Sequence, residues 1–182
     1  ALADAVAEMT GLAHAALLEM RAAIFDLRGD AVAEQGVVAA LAAHGAALAV
    51  RHDVRVDVTG PADRLPLAPR TEETLFRIGQ EAVTNAVKHS GSPAVSAAVS
   101  AQARAAGTRI VLIVRDQGDG FDPDGSYAGH LGLSLMRSRA AEAGGTVEIH
   151  SVPGAGTTVR VTVPAVAPAP PGPRAAPPAS AT

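Results

Sequence analysis

Four side chains in the stretch QEAVTNAVKHS, residues 80–90, have the types and the spacing for shared chemistry. Glu81, Asn85, Lys88 and His89 stand at i, i+4, i+7 and i+8, which on a helix makes one stripe. Lys88 is the only lysine in the chain. Leu75, Ile78, Ala82, Val83, Ala86 and Val87 supply the apolar contacts of the same helix. A polar stripe on a helix is ordinarily a solvated face, so the stripe alone does not decide between solvent and a ligand.

Three loops carry further chemistry. In DQGDGFDP, residues 116–123, Asp116 ends an apolar run and offers an acceptor-only carboxylate. Such a group can read a donor like the exocyclic amino group of adenine. Gly118 and Gly120 let the backbone turn sharply and approach a ligand closely. A plain Asp/Gly turn has the same composition. In GHLGL, residues 129–133, glycines open a helix and leave free N–H groups that suit phosphate. Residues 121–131 hold Asp122, Asp124, Gly125 and Gly129 and little that would pack, which suits a lid over a ligand. PGAGTT, residues 153–158, is first of all a hairpin turn, with the Thr157 hydroxyl placed to reach a nearby pocket.

These groups need elements to hold them. Residues 1–28 read as one helix, because Leu2, Val6, Met9, Ala13, Ala16, Met20, Ile24 and Leu27 recur every three or four positions. That near-heptad seam suits pairing with another helix or subunit. Gly29-Asp30 breaks it, and an alanine-rich helix is expected from Gly36 to Val50. Val54, Val56 and Val58 alternate with Arg55 and Asp57 as in a half-buried strand. Thr71 is the expected N-cap of the striped helix, with Glu72 and Glu73 opposing its dipole, and Gly91 lies where a left-handed residue would end it. Strands are expected at 94–100, 109–115, 146–150 and 158–163, and a helix at 131–143. The order is helix, strand, helix, strand, strand, helix, strand, strand. That is an α+β pattern, a mixed sheet with helices on one face, preceded by a long helix. After Pro164 the chain turns Ala/Pro-rich and is expected to be a disordered tail.

Taken in this order, Glu-x3-Asn-x2-Lys-His, Asp-x-Gly-x-Gly, Gly-x2-Gly-Leu and Gly-x-Gly-Thr resemble the N, G1, G2 and G3 boxes of a known nucleotide-binding fold. Histidine kinases, gyrase B, Hsp90 and MutL share it. The resemblance covers about Gly36 to Pro164. The run HLGLSLMRSRAAEAGGTVEIHSVPGAGTTVRVTVP also resembles the end of NarX-like and DesK-like sensor histidine kinases. ALLEMRAAIFDLRGD, residues 16–30, resembles the second helix of that class's dimerisation and phosphotransfer domain.

The resemblance implies a two-layer α/β sandwich of the Bergerat-type ATP-binding fold over 31–164, part of a dimerisation domain over 1–30 and a tail over 165–182. It implies that Asn85 coordinates a Mg²⁺ ion bridging the triphosphate of ATP, and that Asp116 reads the adenine amino group. Gly118 and Gly120 would shape the wall beside the base. Gly129, Gly132, Leu133 and the helix start would cover the phosphates. Lys88 and His89 would touch phosphate or ribose, and Thr157 would support the adenine side. Glu81 would be either a base or a residue orienting the metal shell. The product phosphohistidine would pass its phosphoryl group to an aspartate on a response regulator, and the parent protein would form a homodimer through the N-terminal helix.

Two departures from the pattern stand out. Gly29 replaces the proline that family members carry after Leu-Arg. Of the six histidines only His52 precedes an acidic residue, and it lies between a helix and a strand, while His14 precedes alanine. The acceptor histidine is therefore expected outside this chain.

Bulk composition narrows the remaining classes. A net charge of −3 builds no field for nucleic acid or an anionic membrane. Aromatic residues at 2% provide no base-stacking platform, and no cysteine is present for a disulfide or a thiolate metal site. No apolar run is read as membrane-spanning, so no membrane contact is expected. The chain opens Ala-Leu-Ala and is taken as a piece of something longer, cytoplasmic in itself or the cytoplasmic portion of a membrane-anchored sensor. The competing readings are an anti-sigma-factor-type serine kinase of the same fold, an ATPase of the gyrase or Hsp90 kind, and a non-catalytic partner-binding domain.

Overall fold

The computed structural model describes residues 30–105, 107–122 and 130–166. The expected helix over 1–28 and nearly all of the expected tail lie outside them. The described elements are α1 (Asp30–His52), β1 (Arg55–Thr59), α2 (Pro69–His89), β2 (Ala94–Arg104), β3 (Gly107–Asp116), α3 (His130–Glu142), β4 (Thr146–Ser151) and β5 (Thr157–Pro164). Their order is the expected one. The sheet has five strands in the order β1-β2-β3-β5-β4; β1 pairs parallel with β2 and the other pairs are antiparallel, so the sheet is mixed.

Alternation along the strands sets the two layers. Val95, Ala97 and Val99 of β2, Ile110, Leu112 and Val114 of β3, and Val159, Val161 and Val163 of β5 are buried in one core. The register lines them up in rows, such as Ala97–Val114–Val159 and Val99–Leu112–Val161. The alternate residues Ser96, Ala98 and Ser100 are exposed. The helices cover only the buried face: α1 packs on β1 and α2, α2 on β2, β3 and β5, and α3 on β4 and β5. Leu75, Ile78 and Val83 of α2 are fully enclosed there. Each fully buried aliphatic side chain contributes about 1.5–3 kcal/mol, so this row fixes which face of α2 is left for other work.

The start of α2 differs from the sequence expectation. The helix begins at Pro69 behind an extended Ala68 with no side-chain cap, and Thr71 falls inside the first turn. Proline at the first helical position has its φ preset for the helix and no N–H of its own to satisfy. Glu72 lies in the first turn as expected, but it is buried rather than solvated. It is 2% exposed, accepts the Val37 N–H at 3.2 Å and pairs with Arg64 at 2.7 Å. Arg64 also donates to the Ala33 carbonyl at 2.7 Å. The pair thereby ties α1 on both sides of a kink at Gly36, where φ is 78°. A side chain at that φ would be strained, so glycine suits the bend.

Residues Val32–His52 have the length and mean hydropathy, 1.3, of a membrane-crossing helix, which corrects the reading that no apolar run reaches that length. Valines and leucines, with many alanines between them, carry the score. In the fold this is a core helix that buries Val37, Ala40, Leu41 and Leu48.

Candidate functional site

The polar side of α2 emerges where its apolar side meets the sheet. Glu81 and Asn85 are half-buried, and the Asn85 amide Nδ2 donates to Glu81 Oε1 at 3.2 Å. The i, i+4 spacing makes this contact possible. It leaves Asn85 Oδ1 without a hydrogen bond among the described residues. Gly132, in the first turn of α3, comes so close that a Cβ on it would stand 3.0 Å from Glu81 Oε1 and 3.9 Å from Asn85 Nδ2. The structure thus brings the N-box pair and the second G2-box glycine together. Leu133 packs half-buried against the core and seats the helix start. Lys88 and His89 are exposed at the end of α2 and make no hydrogen bond among the described residues. Gly129 and most of the expected lid lie outside them.

A second cluster forms at the end of β3. Asp116 is 6% exposed, and its Oδ1 accepts the Gly118 N–H at 3.0 Å and the Thr157 N–H at 3.2 Å. Strand pairing explains the reach, since Arg115 faces Thr158 in the β3–β5 ladder. Oδ2 has no partner among the described residues. The loop after Asp116 is pressed between two neighbours. A Cβ on Gly118 would overlap the Ser90 carbonyl, and one on Gly120 would overlap the Val152 carbonyl. Backbone bonds hold the loop there, from Asp119 N–H to the Ser90 carbonyl and from Gly154 N–H to the Asp119 carbonyl, each 2.6 Å. Gly120 also takes φ 59°. Both glycines are therefore structural necessities of the turn as well as parts of its wall.

Thr157 sits where the sequence places it, but its backbone N–H rather than its hydroxyl serves Asp116. The Thr157 hydroxyl is bonded to Ser151 Oγ at 2.9 Å. Ser151 is the residue that sequence reasoning missed. It is 8% exposed, accepts the Phe121 N–H at 2.9 Å and donates to the Gly156 carbonyl at 3.2 Å. It joins the G1 loop to the β4–β5 hairpin. Ser92 makes a lesser tie of the same kind, accepting the Gln117 N–H at 3.4 Å. The signal available was a hydroxyl on the last strand residue before a Pro-Gly turn.

Chemically, the arrangement presents a carboxylate oxygen at a strand end and an amide oxygen on a helix, each without a hydrogen bond among the described residues. The end of α2 connects the two through Ser90. One cluster accepts hydrogen bonds from a flat donor. The other offers a hard oxygen to a cation beside a helix start that suits anions.

Comparison with known proteins agrees with this geometry. The family model described as histidine kinase-, DNA gyrase B-, and HSP90-like ATPase matches residues 70–167, which include the residues from Glu81 to Thr157. The chain is 28% identical over 161 residues to the signal transduction histidine-protein kinase/phosphatase DegS of Brevibacillus brevis, covering 87% of this chain and 40% of DegS. It is 35% identical over 109 residues to the sensor histidine kinase LiaS of Bacillus subtilis, covering 60% of this chain and 29% of LiaS. It is 30% identical over 147 residues to the sensor protein VraS of Staphylococcus saprophyticus, covering 81% of this chain and 41% of VraS. The chain thus spans well under half of these relatives. Among solved structures, the blue-light activated histidine kinase of Erythrobacter litoralis shares the fold with a TM-score of 0.57 at 21% identity, over 71% of this chain and 42% of that one. By its fold, its four motifs and the match over residues 70–167, the chain belongs to the family of histidine kinase-, DNA gyrase B- and HSP90-like ATPases.

Proposed function

We propose that this chain is the ATP-binding catalytic part of a two-component sensor histidine kinase. The observation that carries the reading is Asp116, whose Oδ1 is held by two backbone N–H groups while Oδ2 makes no hydrogen bond among the described residues. A carboxylate fixed in this way is pre-oriented to accept the adenine amino group. The Glu81–Asn85 pair supports a phosphate end. Asn85 is held by its Nδ2, so its Oδ1 would be the ligand to Mg²⁺. Bound there, Mg²⁺ would neutralise charge on the triphosphate oxygens. Glu81 orients Asn85 through the same hydrogen bond. Gly132 keeps the start of α3 free of side-chain bulk beside that pair, and Lys88 and His89 extend the positive end of the site toward phosphate.

In the reaction the γ-phosphoryl group leaves ATP and forms a P–N bond with a histidine outside this chain. ADP departs, and the imidazole proton goes to a base near the acceptor. The chain's own contribution is position and charge complementarity, which dominate phosphoryl transfer. Passage to a response-regulator aspartate, homodimerisation through residues 1–30 and work in the cytoplasm complete the reading. The names of DegS and LiaS support the histidine-kinase part of it.

The test is calorimetric titration of Mg-ATP into the chain beside Asp116→Asn and Asn85→Ala. Binding to the parent that falls about tenfold or more in both variants is expected, since each removes one charge-assisted or metal contact. A parent chain that binds no Mg-ATP at millimolar concentration overturns the proposal.

A further inference from the structure

Helix α1 is broken at one hydrogen bond, and an ion pair fills the gap. Gly36 takes φ 78° and ψ 166°, far from the helical values of about −63° and about −42°. Both torsions lie inside the ring that a helical bond from the Val37 N–H to the Ala33 carbonyl closes, so that bond cannot form with its usual geometry. Its two ends are satisfied elsewhere. The Val37 N–H donates to Glu72 Oε1 at 3.2 Å, and the Ala33 carbonyl accepts from Arg64 Nη1 at 2.7 Å. Arg64 Nη2 meets Glu72 Oε2 at 2.7 Å and joins the two halves. The Arg64–Glu72 pair is thus inserted between an acceptor and a donor that stand at i and i+4 on one helix.

The same acceptor and donor can take each other back. Rotating Gly36 to helical torsions returns the Val37 N–H to the Ala33 carbonyl and makes α1 continuous. Glycine visits both regions. A Cβ on Gly36 would meet Glu72 Oε1 at 3.4 Å and the Arg64 side chain at 3.9 Å, which are ordinary contacts. Backbone torsion, not space, therefore reserves the position for glycine. The arm before the bend is lightly held: of residues 32–35 only Val32 is buried, while Ala33, Glu34 and Gln35 are exposed. Arg64 lies in the stretch between β1 and α2 with its side chain 52% exposed, so it can stay with Glu72 or turn to water. Glu72 is the anchor, buried in the first turn of α2. The bent form gives both of its oxygens a donor, whereas the straight form takes the Val37 N–H from one of them. An enclosed acceptor left short is costly, so the bent form is the ground state.

We infer that the Arg64–Glu72 pair is a latch on a two-state bend in α1. Closed, it holds the arm before Gly36 off the helix axis; open, the arm and the rest of α1 form one straight helix. The latch closes on α2, so the helix that carries Glu81 and Asn85 sets the direction of any chain before Asp30. A hinge of few residues that absorbs a large torsion change is a recurrent switching device.

The test reads the bend alone, without nucleotide. In the ¹⁵N,¹³C-labelled chain, scalar coupling across the hydrogen bond tells whether the Val37 N–H is bonded to the Glu72 carboxylate or to the Ala33 carbonyl. Relaxation dispersion at Gly36 and Val37 reads exchange between the two. The parent is expected to be bonded to Glu72, with a straight minor form on the order of 1%. Arg64→Gln removes the charge-assisted half of the latch and is expected to raise that form about tenfold. Arg64→Lys keeps a cation beside Glu72 and is expected to raise it less. Gly36→Ala carries a Cβ that disfavours the bent torsions, and is expected to make the straight form dominant, with the Ala33–Val37 coupling present and helical Cα shifts from Ala33 through Val38. Val37 bonded to Glu72 without exchange in both the parent and Arg64→Gln overturns the inference. So does loss of helical shifts before residue 36 in Gly36→Ala, because the arm then frays instead of changing partner.

Discussion

Asp116 can act as a reader because half of it is already committed. The Gly118 and Thr157 N–H groups fix one oxygen and so aim the other. Asp116, Asn85 and Glu81 could be singled out by residue type and spacing, but their expected roles came only from the resemblance of the four motifs taken together. Ser151 was not legible. Its importance comes from partners at Phe121, Gly156 and Thr157, which only the β4–β5 pairing and the G1 loop bring to it. Ser151→Ala leaves the Phe121 N–H and the Thr157 hydroxyl short of a partner in a buried place. A loss of about 1–3 kcal/mol in unfolding free energy is expected, read from the urea midpoint at constant m-value. Mg-ATP affinity should fall less than in Asp116→Asn, because Asp116 keeps both of its backbone donors. A larger loss of affinity than of stability would show that Ser151 touches the ligand itself.

At the scale of elements, α1 holds α2 in place through contacts that sequence periodicity cannot foresee. Glu72 looked like a first-turn acid, but its partner Val37 lies 35 residues earlier. His44 on α1 is the second such contact. Gln80 donates to its Nδ1 at 3.4 Å, which leaves Nε2–H to donate to the Thr84 hydroxyl at 3.0 Å. Gln80 and Thr84 directly precede Glu81 and Asn85, so the clasp grips the turns of α2 that carry the site. Burial pushes the His44 pKa below its usual value of 6.5, and the Gln80 backbone, as distinct from its side-chain amide, opposes this in part. The folded state therefore favours the neutral ring. The unfolded chain takes up its proton near 6.5 and the folded chain only lower. The stabilisation is fully present above that value and is lost as pH falls through the folded pKa. The urea midpoint should drop between pH 7.5 and pH 5, and His44→Gln should shrink that drop. An equal drop in both proteins would place the acid sensitivity elsewhere.

At the scale of the whole molecule, the α+β class and the element order followed from alternating and helical periodicities. The strand order β1-β2-β3-β5-β4 and the parallel β1 pairing did not, because they are set by which hydrophobic faces meet across the core. That order brings the end of β3 against the β4–β5 hairpin and the end of α2, and the start of α3 against the Glu81–Asn85 pair, which together would form the proposed nucleotide site. A nucleotide held there would bind the folded chain and not the unfolded one. Its effect on stability then follows from mass action alone. At a free Mg-ATP concentration of one hundred times Kd the gain is about 2.7 kcal/mol, whatever contacts produce it. For a domain of this size that corresponds to a rise in Tm on the order of 8 °C. The rise should grow with the logarithm of nucleotide concentration and be nearly absent in Asp116→Asn at the same concentrations. Differential scanning fluorimetry over a nucleotide series checks both. A concentration-independent shift, or an equal one in Asp116→Asn, would mean that the nucleotide acts away from this site. In that case the proposed site would no longer explain the stabilisation, and the Asp116 assignment would fall with it.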